Sequence, residues 1–190
     1  MYKRQSILIV LVFLLLILNG CGSTQLRSDS NTDRVRNTGR AAELTAEAVD
    51  LLDKDPTASE RLLLEALVAD LYHGPAHNNL GVLHLKRGEL YQAAEEFDWA
   101  RRLMPGHPDP RINLGIALER GGKVHEALDA YASALEVYPD HLPAMQALAR
   151  CQVRHGEIDG RTEEFLRTIA FRGSIAWQSW ARDQLDGIEQ

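Results

Sequence analysis

Excess positive charge, cysteine and long apolar runs are all scarce in this chain, and each scarcity excludes something. The 190 residues carry 21 basic against 27 acidic side chains, a formal net charge of −6, which argues against a general nucleic-acid binder. Two cysteines cannot make a disulfide framework, and if Cys21 is used otherwise, Cys151 has no partner. Cys151 follows Leu148 and precedes Val153 in an apolar helical pattern, so a buried, inert thiol is expected there. The unbroken apolar run from Ile7 to Leu18 has 12 residues, short of the about 20 that a helix needs to cross a bilayer. The sequence holds no glycine-rich phosphate loop, no serine elbow and no catalytic histidine–cysteine arrangement. No catalytic residue, cofactor or small-molecule substrate is expected, and the carboxylates fall on helix faces that read as solvated surface.

What is present begins with Lys3 and Arg4, the apolar run, and then Leu18-Asn19-Gly20-Cys21. The run suits the core of a signal peptide. The four residues resemble the lipobox of bacterial lipoprotein precursors. That resemblance implies cleavage before Cys21, a diacylglycerol on its sulfur and often an acyl group on the new amino terminus. Gly20 is the small residue the peptidase requires, whereas Asn19 departs from the usual small or apolar residue. A plain secretory signal cut near Gly22 is the alternative. Acylation would give stable anchoring, because each buried methylene contributes about 0.8 kcal/mol. Lipoproteins kept at the inner membrane often carry Asp after the cysteine; Gly22 stands there instead, so the resemblance implies the outer membrane, facing the periplasm.

Removal of residues 1–20 leaves 170 residues with a net charge near −8, enough for one domain with a real core. Residues 21–38 follow as the lipidated N-terminus and a tether, GSTQLRSDSNTDRVRNT, without periodicity and poor in apolar side chains. A flexible chain of that length spans roughly 20–25 Å.

From there the chain repeats every 34 residues. Leu80-Gly81 aligns with Leu114-Gly115, Gly88 with Gly122, Ala93 with Ala127, Phe97 with Tyr131, Ala100 with Ala134 and Pro105 with Pro139. These columns resemble the tetratricopeptide repeat (TPR). In physical terms, Gly81 and Gly115 let the two helices of a hairpin approach, the alanines do the same from the second helix, and Phe97 and Tyr131 fill the space between repeats. Gly88 and Gly122 end the first helix where positive φ is needed; Pro105 and Pro139 stop the second. The resemblance implies an all-α, right-handed superhelical solenoid of about nine helices over 39–187. Its parts are a degenerate repeat 40–73, repeats 74–107 and 108–141, a weak repeat 142–173 and a capping helix 174–187. Ser174 reads as an N-cap, with Trp177, Trp180, Ala181 and Leu185 on one helical face. That helix is expected to cover the exposed end of the stack, with an interaction site at Trp177 and Trp180 as the alternative.

Seven histidines are scattered: His73, His77, His84, His107, His125, His141 and His155. His73 and His77 could hold a metal only on one helix, and Gly74-Pro75 places His73 ahead of it. His77 and His84 occupy columns the repeat fills with aromatic residues, so packing accounts for them. No metal site is expected.

In TPR domains the first helices line a concave groove that holds a peptide or a partner helix. The family's inner columns fall on Asn78, Asn79, Val82, Leu85 and Lys86. In the next repeat they fall on Asp109, Ile112, Asn113, Ile116, Glu119 and Arg120, and in the weak repeat on Gln146, Arg150, Val153 and Arg154. Asn79 and Asn113 share a column and can donate and accept to a ligand's backbone. Lys86, Arg120 and Arg154 share another, a basic ladder beside the apolar strip of Val82, Leu85, Ile112 and Ile116. That pairing suits an acidic amphipathic segment or a carboxylate terminus, although cations are favoured in the last turn of any helix. Ile112 and Val82 replace the polarity a two-carboxylate chaperone clamp requires, so no chaperone-tail receptor is expected.

The whole pattern is similar to pilotin-type and tight-adherence pilus assembly lipoproteins. It implies a membrane-anchored adaptor or scaffold that binds an envelope protein through its groove, in pilus or secretion-system assembly. An adaptor for peptidoglycan hydrolases or outer-membrane protein assembly is an alternative. A self-assembling structural envelope protein is an alternative of another class.

Overall fold

A computed structural model describes residues 36–188. The lipobox, Cys21 and the tether as far as Val35 lie outside the described residues. Among the described residues there are nine α-helices and no strand: α1 (Thr38–Leu51), α2 (Pro56–Ala69), α3 (Gly74–Arg87), α4 (Leu90–Leu103), α5 (Asp109–Arg120), α6 (Val124–Val137), α7 (Leu142–His155), α8 (Gly160–Arg172) and α9 (Ile175–Ile188). Successive helices pair as hairpins, and α1, α3, α5 and α7 also touch in sequence, each first helix against the next. The expected all-α TPR stack is therefore observed.

Local chemistry sets the helix ends. Asn37 and Asp55 cap α1 and α2 through their side chains, and proline in the first turn opens α2, α3, α5 and α7. α3 and α7 stop at Gly88 and Gly156, with φ of 78° and 74°, and Gly122 just beyond α5 has φ 77°. A side chain at those three positions would be strained. α8 starts with a capping box between Asp159 and Thr162. Arg161, where the repeat expects alanine, stays exposed with its guanidinium 5.4 Å over the Phe165 ring.

The hairpins close by ring-on-backbone contact. A Cβ added to Gly81 would lie 2.6 Å from the Phe97 ring, and one added to Gly115 would lie 2.4 Å from the Tyr131 ring. Each ring thus covers the glycine of its own hairpin. Each also reaches the next repeat, Phe97 clustering with Ala117 of α5 and Tyr131 with Leu148 and Cys151 of α7. Both rings are fully buried, and burying one contributes about 1.5–3 kcal/mol. At the far end Ala181 is buried, and Trp177, Trp180, Leu185 and Ile188 of α9 pack on the same apolar cluster.

At the near end, Asp70 is buried between α2 and α3 and takes the Arg36 guanidinium at 2.8 and 3.1 Å. The Thr38 hydroxyl and the Tyr72 amide donate to the same carboxylate, both at 3.1 Å, and Asn37 N–H donates to the Ala69 carbonyl. The first described residues are thereby clamped to the repeat. The Arg36 hydrogen bonds, with those from Tyr72 and Thr38, outweigh burial and hold the Asp70 carboxyl below the usual carboxylate range.

Gly115→Ala should lower stability by about 1–3 kcal/mol in urea unfolding, because the Tyr131 ring must give way. Gly106→Ala, with nothing within 4 Å of the added Cβ, should not. An unchanged midpoint for Gly115→Ala would contradict the close approach. Because the folded-state pKa of Asp70 is depressed, its stabilisation is present above the unfolded pKa and lost as pH falls through the folded one. The stability advantage of the native chain over Asp70→Asn should be full at neutral pH and shrink below about pH 4, read from thermal unfolding across pH.

Candidate protein-binding face

The first helices α3, α5 and α7 present the residues expected to bind a partner, and adjoining repeats are stitched across this face by contacts between residues 33 to 35 apart. Asn113 Nδ2 donates to Asn78 Oδ1 at 3.1 Å. Lys86 Nζ donates to Asp53 Oδ1 at 2.6 Å, and Arg154 Nη1 to Glu119 Oε1 at 2.6 Å. Arg120 Nη1 reaches the Leu85 carbonyl at 3.5 Å. The basic column is therefore not a bare ladder. Two of its three cations meet a carboxylate one repeat back, which leaves Arg120 as the rung with no carboxylate partner among the described residues. The Lys86–Asp53 pair is exposed and easily exchanged for a ligand.

The apolar strip also differs from expectation in one place. Val82, Leu85 and Ile116 are half-buried and offer surface, whereas Ile112 is only 8% exposed and belongs to the core. A β-branched side chain on the inner turn of α5 reads alike in either role from sequence. Asn79 lines a recess of about 170 Å³ with Pro75, Asn78, His107 and Asp109, at the start of α3 and α5. Arg150 points elsewhere: its guanidinium stands 5.9 Å over the Trp177 ring, and its Nε is buried without a hydrogen-bond partner. With Trp177 and Trp180, whose rings meet edge-on at 5.2 Å, it lines a recess of about 210 Å³. The face therefore divides into an Asn79–Arg120 part and an Arg150–Trp177 part.

Sequence reasoning missed two features. A recess of about 660 Å³ lies between α4, α5 and α6, lined by Leu90, Tyr91, Ala94, Leu114 and Leu118 with Glu95 and Glu126. Tyr91, 80% exposed one residue into α4, was its only sequence signal. The second is a meeting of Glu119, Cys151 and His155, whose ligand atoms all lie within 4.8 Å of one another. Cys151 and His155 are four residues apart on α7, and Glu119 joins them from α5, 32 residues before Cys151. Glu119 is nearly buried, its side chain 7% exposed, and accepts from the Tyr131 hydroxyl at 2.9 Å as well as from Arg154. Burial and the adjacent Glu119 carboxylate push the Cys151 thiol up to about 11 and raise the Tyr131 hydroxyl still further.

Three other histidines, His73, His77 and His84, lie on or beside α3. His73 is the N-cap residue of α3. His77 is buried, with Nδ1 2.7 Å from Glu96 Oε2, Nε2 3.0 Å from the Leu71 carbonyl, and its ring stacked on Trp99. His84 Nδ1 lies 2.6 Å from Glu89.

Comparison with known proteins agrees with this geometry. Residues 108–151 match the tetratricopeptide repeat family. Tetratricopeptide repeat protein 8 is 29% identical in Mus musculus and 30% identical in Homo sapiens, over 77 residues and 40% of this chain. The chain spans only 14–15% of the length of those curated relatives. Among solved structures, a mutant O-GlcNAc transferase from Thermobaculum terrenum superposes with a TM-score of 0.63 at 26% identity, over 70% of this chain and 27% of that one. A MamA crystal structure superposes at 0.58 and 17% identity over 84% of each chain. The first TPR of Spaghetti (RPAP3), solved with an HSP90 peptide bound, superposes at 0.58 and 17% identity, over 63% of this chain and 95% of that one. The described residues therefore have the TPR fold, and residues 108–151 carry the family match.

Burial lowers the His77 pKa, but the Glu96 hydrogen bond, the Leu71 carbonyl and the Glu96 charge outweigh it and raise it overall. Its contribution is then fully present below the unfolded pKa and lost as pH rises through the folded one. The stability gap between the native chain and His77→Gln should be larger at about pH 5 than at pH 8, measured by thermal unfolding. A gap independent of pH would remove the ion pair.

Proposed function

We propose that this chain is a lipid-anchored TPR scaffold that holds a protein partner of the cell envelope against its first-helix face. In this reading residues 1–20 are a lipoprotein signal peptide and Cys21 carries the lipid. Residues 22–38 are the tether, and 39–187 are the binding domain, at the outer membrane facing the periplasm. The role is that of an adaptor in pilus or secretion-system assembly. The lipobox Leu18–Cys21 supports the anchor, and the repeat fold supports the scaffold. The Spaghetti structure supports peptide occupancy of such a fold.

One observation carries the binding assignment. Half-buried Val82, Leu85 and Ile116 lie on the same helices as Asn79, Asn113 and Arg120, which keep polar atoms for a ligand. An extended or helical segment can bury apolar side chains on the first group, meet the amides with its backbone and set a carboxylate on Arg120.

A cross-linked pull-down from intact envelopes tests this. A partner recovered with the native chain should be lost, or reduced at least about tenfold, with the combined Asn79→Ala, Asn113→Ala, Arg120→Glu chain, a change worth about 1.4 kcal/mol. Recovery undiminished by the substitutions would move the interface to the Arg150–Trp177 recess or the α4–α6 recess. Cys21→Ala should release the protein from membranes; continued co-fractionation would contradict the anchor.

A further inference from the structure

We propose that Glu119, Cys151 and His155 form a binding site for a single zinc ion, linking α5 to α7. The helical spacing is the first argument. Residues four apart lie one turn apart on the same face, so Cys151 and His155 project together from α7, and Glu119 arrives from α5, one repeat back. Their ligand atoms already lie within 4.8 Å of one another, and His155 Nε2 is 3.9 Å from Glu119 Oε1. Zinc ligands at 2.0–2.3 Å in a tetrahedral array stand about 3.3–3.8 Å apart, so rotation about side-chain bonds closes the site.

The donor chemistry is the second argument. A thiolate, an imidazole and a carboxylate together suit zinc and not the all-oxygen shells of calcium or magnesium. The third is the support around the carboxylate. The Tyr131 hydroxyl occupies Glu119 Oε2 at 2.9 Å and leaves Oε1 on the side of His155 Nε2, 3.9 Å away, the outer-shell arrangement that orients a ligating carboxylate. Oε1 takes Arg154 at 2.6 Å, and Arg154 is an exposed side chain on the outermost turn of α7 that a divalent ion can displace. Three protein ligands leave a fourth position, and because His155 and Arg154 are both exposed, it opens to solvent. Binding replaces the thiol proton and the guanidinium with the ion, so protons are released as zinc enters. The bound ion would fix two successive first helices against each other.

The test is zinc titration of the full chain in detergent, with Cys21→Ala so that Cys151 is the remaining thiol. One equivalent should bind, and cobalt substituted for zinc should give a thiolate charge-transfer band in the near ultraviolet. Cys151→Ala and His155→Ala should each weaken binding by about a hundredfold or more, and Tyr131→Phe by about tenfold. Arg154→Ala should tighten it, because the competing cation is gone. His125→Ala, an exposed histidine elsewhere, should leave it unchanged. His155 is exposed, so its substitution carries the test even where Cys151→Ala perturbs folding. No uptake at micromolar zinc would overturn the proposal, as would affinity undiminished by His155→Ala, a cobalt complex without the thiolate band, or weaker binding after Arg154→Ala. Glu119 and Cys151 would then be only a carboxylate and a thiol packed side by side.

Discussion

The stack depends on two aromatic rings lying against bare backbone. Phe97 over Gly81 and Tyr131 over Gly115 leave no room for even a methyl group, so each ring sets the spacing of its hairpin. Because the same rings reach α5 and α7, they also set the spacing between repeats. Helix propensity alone would allow many packings; these contacts fix how the α3–α4 and α5–α6 hairpins close. A void in place of either ring would forfeit its apolar burial and loosen two interfaces together.

That spacing turns a 34-residue sequence period into a lateral ladder. Contacts between neighbouring repeats recur at separations of 33 to 35 residues: Asn78 with Asn113, Asp53 just past α1 with Lys86, the Leu85 carbonyl with Arg120, Glu119 with Arg154. The face is thus partly self-satisfied. Its cations stabilise the stack while a partner is absent, and a ligand carboxylate must compete with Asp53 or with Glu119. Arg120, held only by a long bond to a carbonyl, is the cation most readily recruited. The tyrosine that fixes one hairpin also orients Glu119, so packing and the chemistry of the face share a side chain.

The fold was legible because each element announced itself through residues that packing constrains. Leu80-Gly81 and Leu114-Gly115 gave the hairpins, and Gly88 and Gly122 marked left-handed helix ends. The face was less legible. Column position placed Asn79, Val82, Leu85, Asn113, Ile116 and Arg120 on the first helices, but could not separate buried Ile112 from half-buried Ile116, four residues along one face. Nor could it reveal that Lys86 and Arg154 would find acids one repeat back, since that depends on how adjoining helices are offset. Arg150 was assigned with its column, but Trp177, far along the chain, draws it aside. The Glu119–Cys151–His155 meeting joins an i, i+4 pair to a residue of another helix, and such triples emerge only when the stack is assembled.

In the proposed function the first-helix face, and not the outer helices, meets the partner. The most direct measurement places a photo-cross-linking amino acid at Asn79 on α3 and, in a separate chain, at exposed Asp129 on α6, and irradiates intact cells. The account predicts a discrete cross-linked adduct from position 79 and none from position 129. An adduct from position 129 with none from position 79 would contradict it.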